Sequence, residues 1–405
     1  MRNQKIIKTK LNMKTKLTSK IKLAALAMSL AACAPQLFAQ LVIPSDGSDG
    51  ALVISNNTVI DLSQAVTGNW TNNNSANAGQ GVYDPAKWAV VFKYSSVVIA
   101  NGATLTFSNH PTHAPVVWLV NGNVTNNGEI NLDGQAVGLD YTDPAEPGPG
   151  GFRGGTLGMP GFGPGGGFGV NGNYSSSPYG YGNPQIVPLI GGSGGIGSYN
   201  SYSTGGGGAI LIASSGTISI NGSVHANGAS YYGDGSAGGA IRLISGQLTG
   251  NGSIAAVGPG AGRICLEATN TAGLNLGVNP GGNPLSILAS PFPLTIWPAT
   301  NAPIVQVTTI SNVNANLTAP VDPKASLAAG GDDLAIATTN AVTIGLQTSN
   351  FPTNGTVNVY IKSLSAGQTV LQASCISGNS NSANWQLVTT LPVNHTVIQA
   401  RAVFP

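Results

Sequence analysis

The chain has 405 residues, and only 7% of them are charged, against about a quarter in an ordinary soluble domain. Its formal net charge of +2 conceals an asymmetry: eight of the 16 Lys and Arg precede Leu23, so from Gln40 onward 8 cations face 14 acids, a net charge of −6. This balance argues against a nucleic-acid binder, which needs clustered Lys and Arg, and the scarcity of charge is atypical of a cytosolic enzyme.

The first element is an export signal at residues 1–39. Four lysines precede a short apolar run at 23–34: Lys14, Lys16, Lys20 and Lys22. The run is too short to span a bilayer, and this order is typical of a bacterial secretory signal that is cleaved after Ala39. The tetrad that ends at Cys33 also resembles a lipoprotein signal, in which that thiol is lipidated, and both alternatives stay open. Either one predicts Sec export to the extracellular space or the outer cell surface.

An internal repeat follows the signal. Three 19-residue segments, 116–134, 210–228 and 240–258, align without a gap. Each has Gly at its seventh place, Asn-Gly at its twelfth and thirteenth places, and Gly at its end. Between these positions apolar residues alternate with small polar ones, in rows such as Val124, Ile218 and Leu248, or Ile130, Val224 and Ile254. Period-2 alternation predicts short strands with one buried face, and we expect the Gly and Asn residues to supply positive φ angles at the turns.

The spacing of the repeats predicts an all-β fold. The second and third repeats begin 30 residues apart, and the first two begin 94 apart, close to three such steps. A constant step with three strands favours stacked coils of a right-handed parallel β-helix over residues 40–277, although a meander of hairpins also uses Asn-Gly turns. We expect about five to eight coils.

A Gly- and Tyr-rich insert at 135–209 separates the first two repeats. Aromatic rings on a charge-poor surface stack well on sugar faces, which makes its tyrosines candidate polysaccharide contacts. The alternative is that they pack the insert against the side of the solenoid. The candidates are Tyr174, Tyr179, Tyr181, Tyr199 and Tyr202.

Acidic residues cluster at the end of the first repeat and the start of the insert: Glu129, Asp133, Asp140, Asp143 and Glu146. Two carboxylates serve glycoside hydrolysis as acid and base, and several hold Ca²⁺ in a lyase. The first four are the catalytic candidates if the chain is an enzyme. The alternative is a solvated acidic loop, since their spacing matches no calcium-loop pattern. No cofactor is implied otherwise.

Other chemistry-bearing residues fit structural roles better. His110 and His113 are close enough to share a metal, but no third ligand is apparent, so no metal site is predicted. His225 occupies an outward place in its repeat. The pair Arg242 and Arg263 is expected to stack outward on successive coils. The remaining candidates are the thiols of Cys265 and Cys375, expected to be buried and free unless they form a disulfide between domains, and Asp332-Asp333, expected in a turn.

The last part of the chain has a different pattern. Residues 278–300 are rich in Pro and Gly and predict a linker. Strand-like runs recur through 301–405, at 304–310, 333–346, 357–361, 370–376, 385–390 and 397–404. Their spacing and Thr/Val/Ile content predict an Ig-like or fibronectin-like β-sandwich.

Segment 205–267, with GGGGAILIASSGTISINGSVHANGAS, GGAIRLISGQLTGNGSIAAVGPG and GRICLEA, resembles glycine-rich secreted bacterial proteins of the pectin-lyase-like β-helix type. Many of these are adhesin-like, but the same fold also carries polysaccharide lyases and glycosidases. We therefore expect a non-catalytic, adhesin-like protein that binds polysaccharide or other surface material. The alternatives are a polysaccharide lyase or glycoside hydrolase on the same scaffold, with Ca²⁺ under the lyase alternative, and a structural surface-layer or filament protein. We expect no nucleic-acid partner and no transmembrane segment, and self-association would use the ends of the solenoid.

Overall fold

The computed structural model describes residues 41–71, 79–137, 145–155, 161, 163, 184–195, 203–231, 234–282, 286–310, 313–314, 339–363, 366–393 and 396–405. Within these ranges the chain is all-β, as predicted, with a single 3-10 helix of three residues. No helix in the described part is long and apolar enough to cross a bilayer. The predicted signal, with Cys33, lies outside the described residues.

Twenty-eight strands are present in the described ranges. The first fourteen are β1 (Ala51–Ile54), β2 (Thr58–Asp61), β3 (Val66–Thr67), β4 (Val82–Asp84), β5 (Ala89–Tyr94), β6 (Ser96–Ile99), β7 (Thr104–Ser108), β8 (Val116–Val120), β9 (Val124–Asn126), β10 (Glu129–Asn131), β11 (Ala136–Val137), β12 (Ser203–Thr204), β13 (Ala209–Ile220) and β14 (Ser223–His225), with the 3-10 helix at Leu62–Gln64. The others are β15 (Ser230–Tyr231), β16 (Asp234–Gly235), β17 (Ala240–Thr249), β18 (Ser253–Ala255), β19 (Arg263–Asn270), β20 (Gly277–Asn279), β21 (Ser286–Ala289), β22 (Ile304–Ile310), β23 (Val313–Asn314), β24 (Val342–Ser349), β25 (Thr356–Ser363), β26 (Gly367–Gly378), β27 (Ser382–Thr389) and β28 (Thr396–Val403).

Two largely parallel sheets are formed by strands that alternate between them along the chain. The larger has eleven strands: β1-β6-β9-β13-β8-β5-β4-β3 lie side by side, and β17, β19 and β21 continue from β13. The smaller has six parallel strands in the order β2-β7-β10-β14-β18-β20. Successive passages of the chain therefore visit the larger sheet and then the smaller, so equivalent residues of successive passages become neighbours.

The central strands of the larger sheet are buried on both faces. In β8, Val116 and Trp118 belong to the main core, whereas Val117 and Leu119 belong to a second apolar cluster on the opposite face. That second face is covered in part by Leu41 and Ile43 from the start of the described chain. The expectation of one solvent-facing side is therefore wrong for the first strand of each repeat, where a nearly continuous apolar sequence reflects burial on both sides.

The apolar rows predicted from the repeat are confirmed. Val124 pairs with Ile218 and Ile218 with Leu248, while Ile130 pairs with Val224 and Val224 with Ile254. These six side chains are almost completely buried, so each passage covers the core of the one before it.

The register differs from the sequence alignment in two respects. The first and second repeats are direct neighbours, so their 94-residue interval is one step of the stack rather than three. Between the second and third repeats, Ser214 pairs with Ser245 but Thr217 pairs with Gln247. The ungapped alignment is therefore wrong by one residue before this point and correct from Thr217 onward. The reason is a bulge in β13 that β17 lacks.

The Asn-Gly positions are conserved between the repeats for a reason other than the predicted one. The second residues of the three pairs, Gly128, Gly222 and Gly252, do not have positive φ angles. A Cβ atom at Gly222 would instead overlap the carbonyl oxygen of Gly128, and one at Gly252 would overlap that of Gly222. Close backbone approach between successive passages therefore requires glycine at these turns.

The described parts of the insert pack backbone to backbone against the parallel sheets. Gly206 N donates to Phe152 O at 2.9 Å, and Gly192 N donates to Gly207 O at 2.7 Å. A Cβ atom at Gly192 would overlap Ala237 O. The glycine runs thus form close layers rather than a free loop, and part of the insert is continuous with the stack.

The segment predicted as a linker, 278–300, differs from that expectation. It contains most of β20 and all of β21, which pair in parallel with β18 and β19. Trp297 packs against the second apolar cluster and lies 5.9 Å from Trp70 between ring centroids. Its proline and glycine content therefore reflects turns within the parallel part of the chain.

The C-terminal strands form a seven-stranded antiparallel sheet in the order β23-β22-β24-β27-β26-β25-β28. Strand β26 pairs with β25 through its first half and with β27 through its second half. Trp385 packs in the apolar core of this part and its Nε1 donates to Thr348 Oγ1 at 2.9 Å. The predicted strands are confirmed in position where they are described; residues 333–338, with Asp333, lie outside the described ranges, as does Asp332.

We predict that Gly222→Ala destabilises the chain strongly, because the new methyl group meets the Gly128 carbonyl in a closely packed turn. We expect a loss of at least about 1–3 kcal/mol in the free energy of unfolding, measured by denaturant titration. Gly246→Ala is the matched control, since no atom lies within 4 Å of its added Cβ, and we expect a change within about 0.5 kcal/mol. Equal effects of the two substitutions would contradict the close-approach explanation.

Candidate functional site

A groove of about 700 Å³ lies beside the smaller sheet and is the candidate functional site. Its walls come from three segments: the end of β7 with the loop after it, the end of β10 with the turn after it, and residues 146–153 of the insert. Its lining residues are Thr106, Phe107, Ser108, Asn109, His110, Pro111, His113, Asn131, Leu132, Asp133, Gly134, Gln135, Glu146, Pro147, Gly148, Pro149 and Arg153.

Parallel pairing brings the first two walls together. Glu129 of β10 pairs with Thr104 of β7, which places the residues that follow both strands on the same side of the sheet. Asn109 Nδ2 then donates to Pro147 O at 2.8 Å and ties the loop after β7 to the third wall. The groove therefore forms because residues 146–153 of the insert lie immediately beside the first repeat.

Two of the predicted acids meet a histidine at the edge of the groove. His225 Nε2 lies 2.7 Å from Glu129 Oε1, and its Nδ1 lies 2.9 Å from Asp133 Oδ2. The pairing of β10 with β14 sets Asn131 beside His225, so the acids two residues before and after Asn131 flank the ring. The prediction that His225 faces solvent is therefore wrong: 17% of its side chain is exposed and it bridges two carboxylates.

This bridge fixes the direction in which His225 titrates. Burial opposes its protonation, but the hydrogen bonds and charges of Asp133 and Glu129 outweigh that effect and raise the pKa of His225 above its usual value. An imidazolium between two carboxylates holds neighbouring passages of the chain together, so the cluster acts first as a stabilising contact.

A second charge pair forms the third wall. Arg153 Nη2 lies 2.7 Å from Glu146 Oε1, and Arg153 Nε donates to Glu146 Oε2 at 3.3 Å. The guanidinium thus meets the carboxylate through two nitrogens, in the geometry that makes Arg–carboxylate pairs directional. Only 10% of the Arg153 side chain is exposed, and the Glu146 carboxylate takes up part of its donor capacity.

The two loop histidines are buried, unlike ordinary solvated loop residues. The ring of His110 stacks on Tyr83 with centroids 4.1 Å apart, and its Nδ1 lies 2.8 Å from Thr112 Oγ1. Burial, aided by the nearby His113, lowers the pKa of His110 and favours the neutral imidazole. No group of three or more His, Cys, Asp or Glu that could hold a metal occurs among the described residues.

The rest of the lining is amide, hydroxyl and aromatic. Gln135 is exposed and Asn131 half-buried, while Asn109 Oδ1 is enclosed and accepts no hydrogen bond from the described residues. Phe107 is half-buried and presents the only aromatic ring other than imidazole in the described part of the lining. These groups match the hydroxyls and apolar ring faces of sugars.

The acids predicted from the sequence belong to two walls of this groove, and the polar and aromatic residues at the end of β7 were missed. Glu129, Asp133 and Glu146 belong to or adjoin it, but Phe107 and Asn109 were not predicted. The signal that finds them is the alignment of the strand at 104–108 with the third strand of the first repeat. Several predicted residues lie outside the described ranges: Asp140, Asp143, Tyr174, Tyr179, Tyr181, Tyr199 and Tyr202.

The predicted arginine stack is wrong. Arg242 pairs with Cys265 and Arg263 pairs with Ala240, so the two arginines are not neighbours in register. Arg242 is 2% exposed, and its Nε donates to Glu267 Oε1 at 2.7 Å. A buried acid therefore does accompany it, although the pair lies within the structure instead of in an open site.

The thiols differ from each other. Cys265 is buried beside Glu267, and burial together with that carboxylate raises the pKa of the thiol to about 12, which makes it unreactive. Cys375 is exposed, contrary to the expectation of two buried thiols. Both are free, so the alternative of a disulfide between them is wrong.

Comparison with protein-family models, with curated proteins and with solved structures finds no match for this chain. Its function must therefore be argued from the groove and its surroundings.

We predict that His225→Gln destabilises the chain in a pH-dependent way. A pKa raised by folding gives stability that is fully present below the unfolded pKa of about 6.5 and is lost as pH rises through the folded pKa. The stability that the variant loses relative to the unaltered protein should therefore be largest at about pH 5 and should shrink as pH rises above the folded pKa of His225. Thermal unfolding at a series of pH values measures this loss.

His110→Gln is the matched control, because the pKa of His110 is lowered by folding. Its contribution is fully present above the unfolded pKa and is lost as pH falls from there through the lower folded pKa, so the destabilisation caused by that substitution should show the opposite trend. A His225→Gln deficit that is constant with pH would show that the imidazole acts through packing alone.

We predict that Arg242→Met costs about 3–5 kcal/mol in the free energy of unfolding, because it leaves the Glu267 carboxylate buried without its partner. The double variant Arg242→Met/Glu267→Leu should recover most of that loss, since neither charge then remains. Denaturant unfolding of the three proteins tests this expectation, and a double variant as unstable as the single one would contradict it.

Proposed function

We propose that this chain is an exported bacterial surface protein without catalytic activity that binds polysaccharide in the groove. After removal or lipidation of its signal it would lie outside the cell or on the outer membrane. Its parallel part would be a right-handed β-helix of the pectin-lyase-like, adhesin type, and its C-terminal part an Ig-like sandwich. The composition of the groove carries this proposal.

The β-helix proposal is supported by the pairing pattern. Six passages contribute one strand each to the smaller sheet, and equivalent residues remain aligned from one passage to the next. In the C-terminal part, β26 divides its pairing between β25 and β27, as a strand does when it passes from one sheet of a sandwich to the other.

The lining of the groove supports sugar binding. Asn109, Asn131 and Gln135 offer amides that both donate and accept, Thr106 and Ser108 offer hydroxyls, and Phe107 offers a ring face. This mixture satisfies a ligand with many hydroxyl groups and weakly polar ring faces. An extended polymer would lie against the exposed residues along the three walls.

The arrangement of the acids supports binding without catalysis. Asp133 and Glu129 contact His225, and Glu146 contacts Arg153. A carboxyl group that acts on a glycosidic bond must reach that bond, whereas each of these carboxylates is held by a basic side chain of the protein. These acids therefore suit structural roles better than an acid–base pair.

The test is a binding and product assay with a protein that begins at Gln40. The protein is incubated with immobilised plant, algal and microbial polysaccharides, with and without Ca²⁺, and retention is measured together with release of reducing or unsaturated ends. We expect saturable retention without release. Release of ends would overturn the proposal in favour of the lyase or hydrolase alternative, and concentration-dependent assembly without retention would favour the structural alternative.

We predict that Gln135→Ala and Phe107→Leu each weaken retention at least about tenfold, because they remove an exposed amide and the phenyl face that the described residues present to the groove. Gln372→Ala is the matched control, since Gln372 is exposed on the antiparallel sheet. Circular dichroism and thermal unfolding confirm that each variant is folded. Unchanged retention by folded groove variants would place binding elsewhere.

A further inference from the structure

Positive charge is scarce around the groove. From Gln40 onward the chain has eight Lys and Arg, and three of those in the described part face carboxylates: Lys93 faces Asp46, Arg242 faces Glu267, and Arg153 faces Glu146. Arg153 is the only Lys or Arg among the described residues that line the groove. A polyanion would therefore meet no uncommitted cation on these walls.

Negative charge outweighs positive charge at the same place. The groove and the cluster at its edge carry the carboxylates of Glu129, Asp133 and Glu146, against Arg153 and His225. With the histidines, including His110 and His113 of the lining, counted as neutral, three acids against Arg153 leave two negative charges, and a proton on His225 leaves one. The local charge is negative in either state.

This charge distribution disfavours acidic sugars. A uronate or sulfate group on the polymer would approach Asp133 and Glu146, and like charges a few ångströms apart at a protein surface repel appreciably. To gain a salt bridge the polymer would have to displace Glu146 from the two nitrogens of Arg153, which would leave that carboxylate without its partner. Neutral hydroxyls incur neither cost.

We propose that the groove selects neutral polysaccharides and rejects polyanionic ones such as polyuronates and sulfated glycans. This inference depends on the proposed function, and it assigns the ligand class of the same groove. Amides and hydroxyls would contact the sugar hydroxyls, while the paired charges of Glu146–Arg153 would act as a screen against acidic polymers.

The experiment compares one polymer in two charge states. The neutral polysaccharide that the protein retains best is oxidised at a fraction of its primary alcohols to carboxylates, which leaves the backbone unchanged. We expect the oxidised polymer to bind at least about tenfold more weakly at low ionic strength, with part of the loss recovered in high salt.

Two variants test the source of the selectivity. Glu146→Gln removes an acid and releases Arg153, so it should raise binding of the oxidised polymer relative to that of the neutral polymer, and the ratio of the two is the readout. Asp46→Asn is the matched control, because it removes an acid that also faces a cation, Lys93, but lies outside the groove lining. The control should leave the selectivity intact, and both variants are checked by thermal unfolding.

The outcomes separate the two proposals. Equal or tighter binding of the oxidised polymer by the unaltered protein would overturn the charge selectivity and leave polysaccharide binding standing. Binding of acidic polymers alone would do the same. Retention of no polymer at all would overturn the proposed function, and the ligand class with it.

Discussion

The structure depends on close approach of the backbone between successive passages of the chain. At the second turn of each repeat a carbonyl oxygen of one passage occupies the place that a Cβ atom of the next would need, as at Gly128, Gly222 and Gly252. Side chains at these turns would push the passages apart and break the parallel register, because strand spacing and apolar packing in both sheets share the same repeat distance. Glycine at these turns is therefore required for the parallel register that aligns the apolar rows.

The same constraint builds the groove. Gly148 lies so close to the turn after β10 that a Cβ there would overlap Leu132 O, and Gly148 N donates to Gly206 O at 3.0 Å. The segment that carries Glu146 and Arg153 is thereby held against the first repeat. Bulkier residues at these positions would move this wall and widen the groove. The glycine-rich composition, which looks at first like low complexity, is thus what brings polar side chains from distant parts of the chain within reach of one another.

The all-β class and the apolar rows could be predicted from the sequence better than the site, for physical reasons that particular residues illustrate. Val124, Ile218 and Leu248 could be aligned because a stack imposes the same environment on each of them, and that environment is local to the repeat. That the first two repeats are direct neighbours could not be predicted, because no pattern in the 94 residues between their starts shows that the insert leaves the parallel sheets and returns to the adjacent position. The positions of His225 and Arg242 were missed since both depend on the partner in the neighbouring passage: an outward place in a repeat is exposed only if no acid or covering segment lies opposite.

Three of the lysines and arginines that the structure describes form ion pairs inside it. The side chains of Lys93, Arg153 and Arg242 are 7%, 10% and 2% exposed, and each faces a carboxylate. Each such pair must overcome the cost of removing two ions from water, so its net contribution to the free energy of unfolding is modest. It does define which segments meet and in what register. The described lining of the groove then offers mostly hydrogen bonds and apolar contacts, which salt screens little. A surface of this kind suits prolonged contact with an uncharged polymer, because many weak polar contacts along an extended groove add up without the long-range attraction that a polyanion would require.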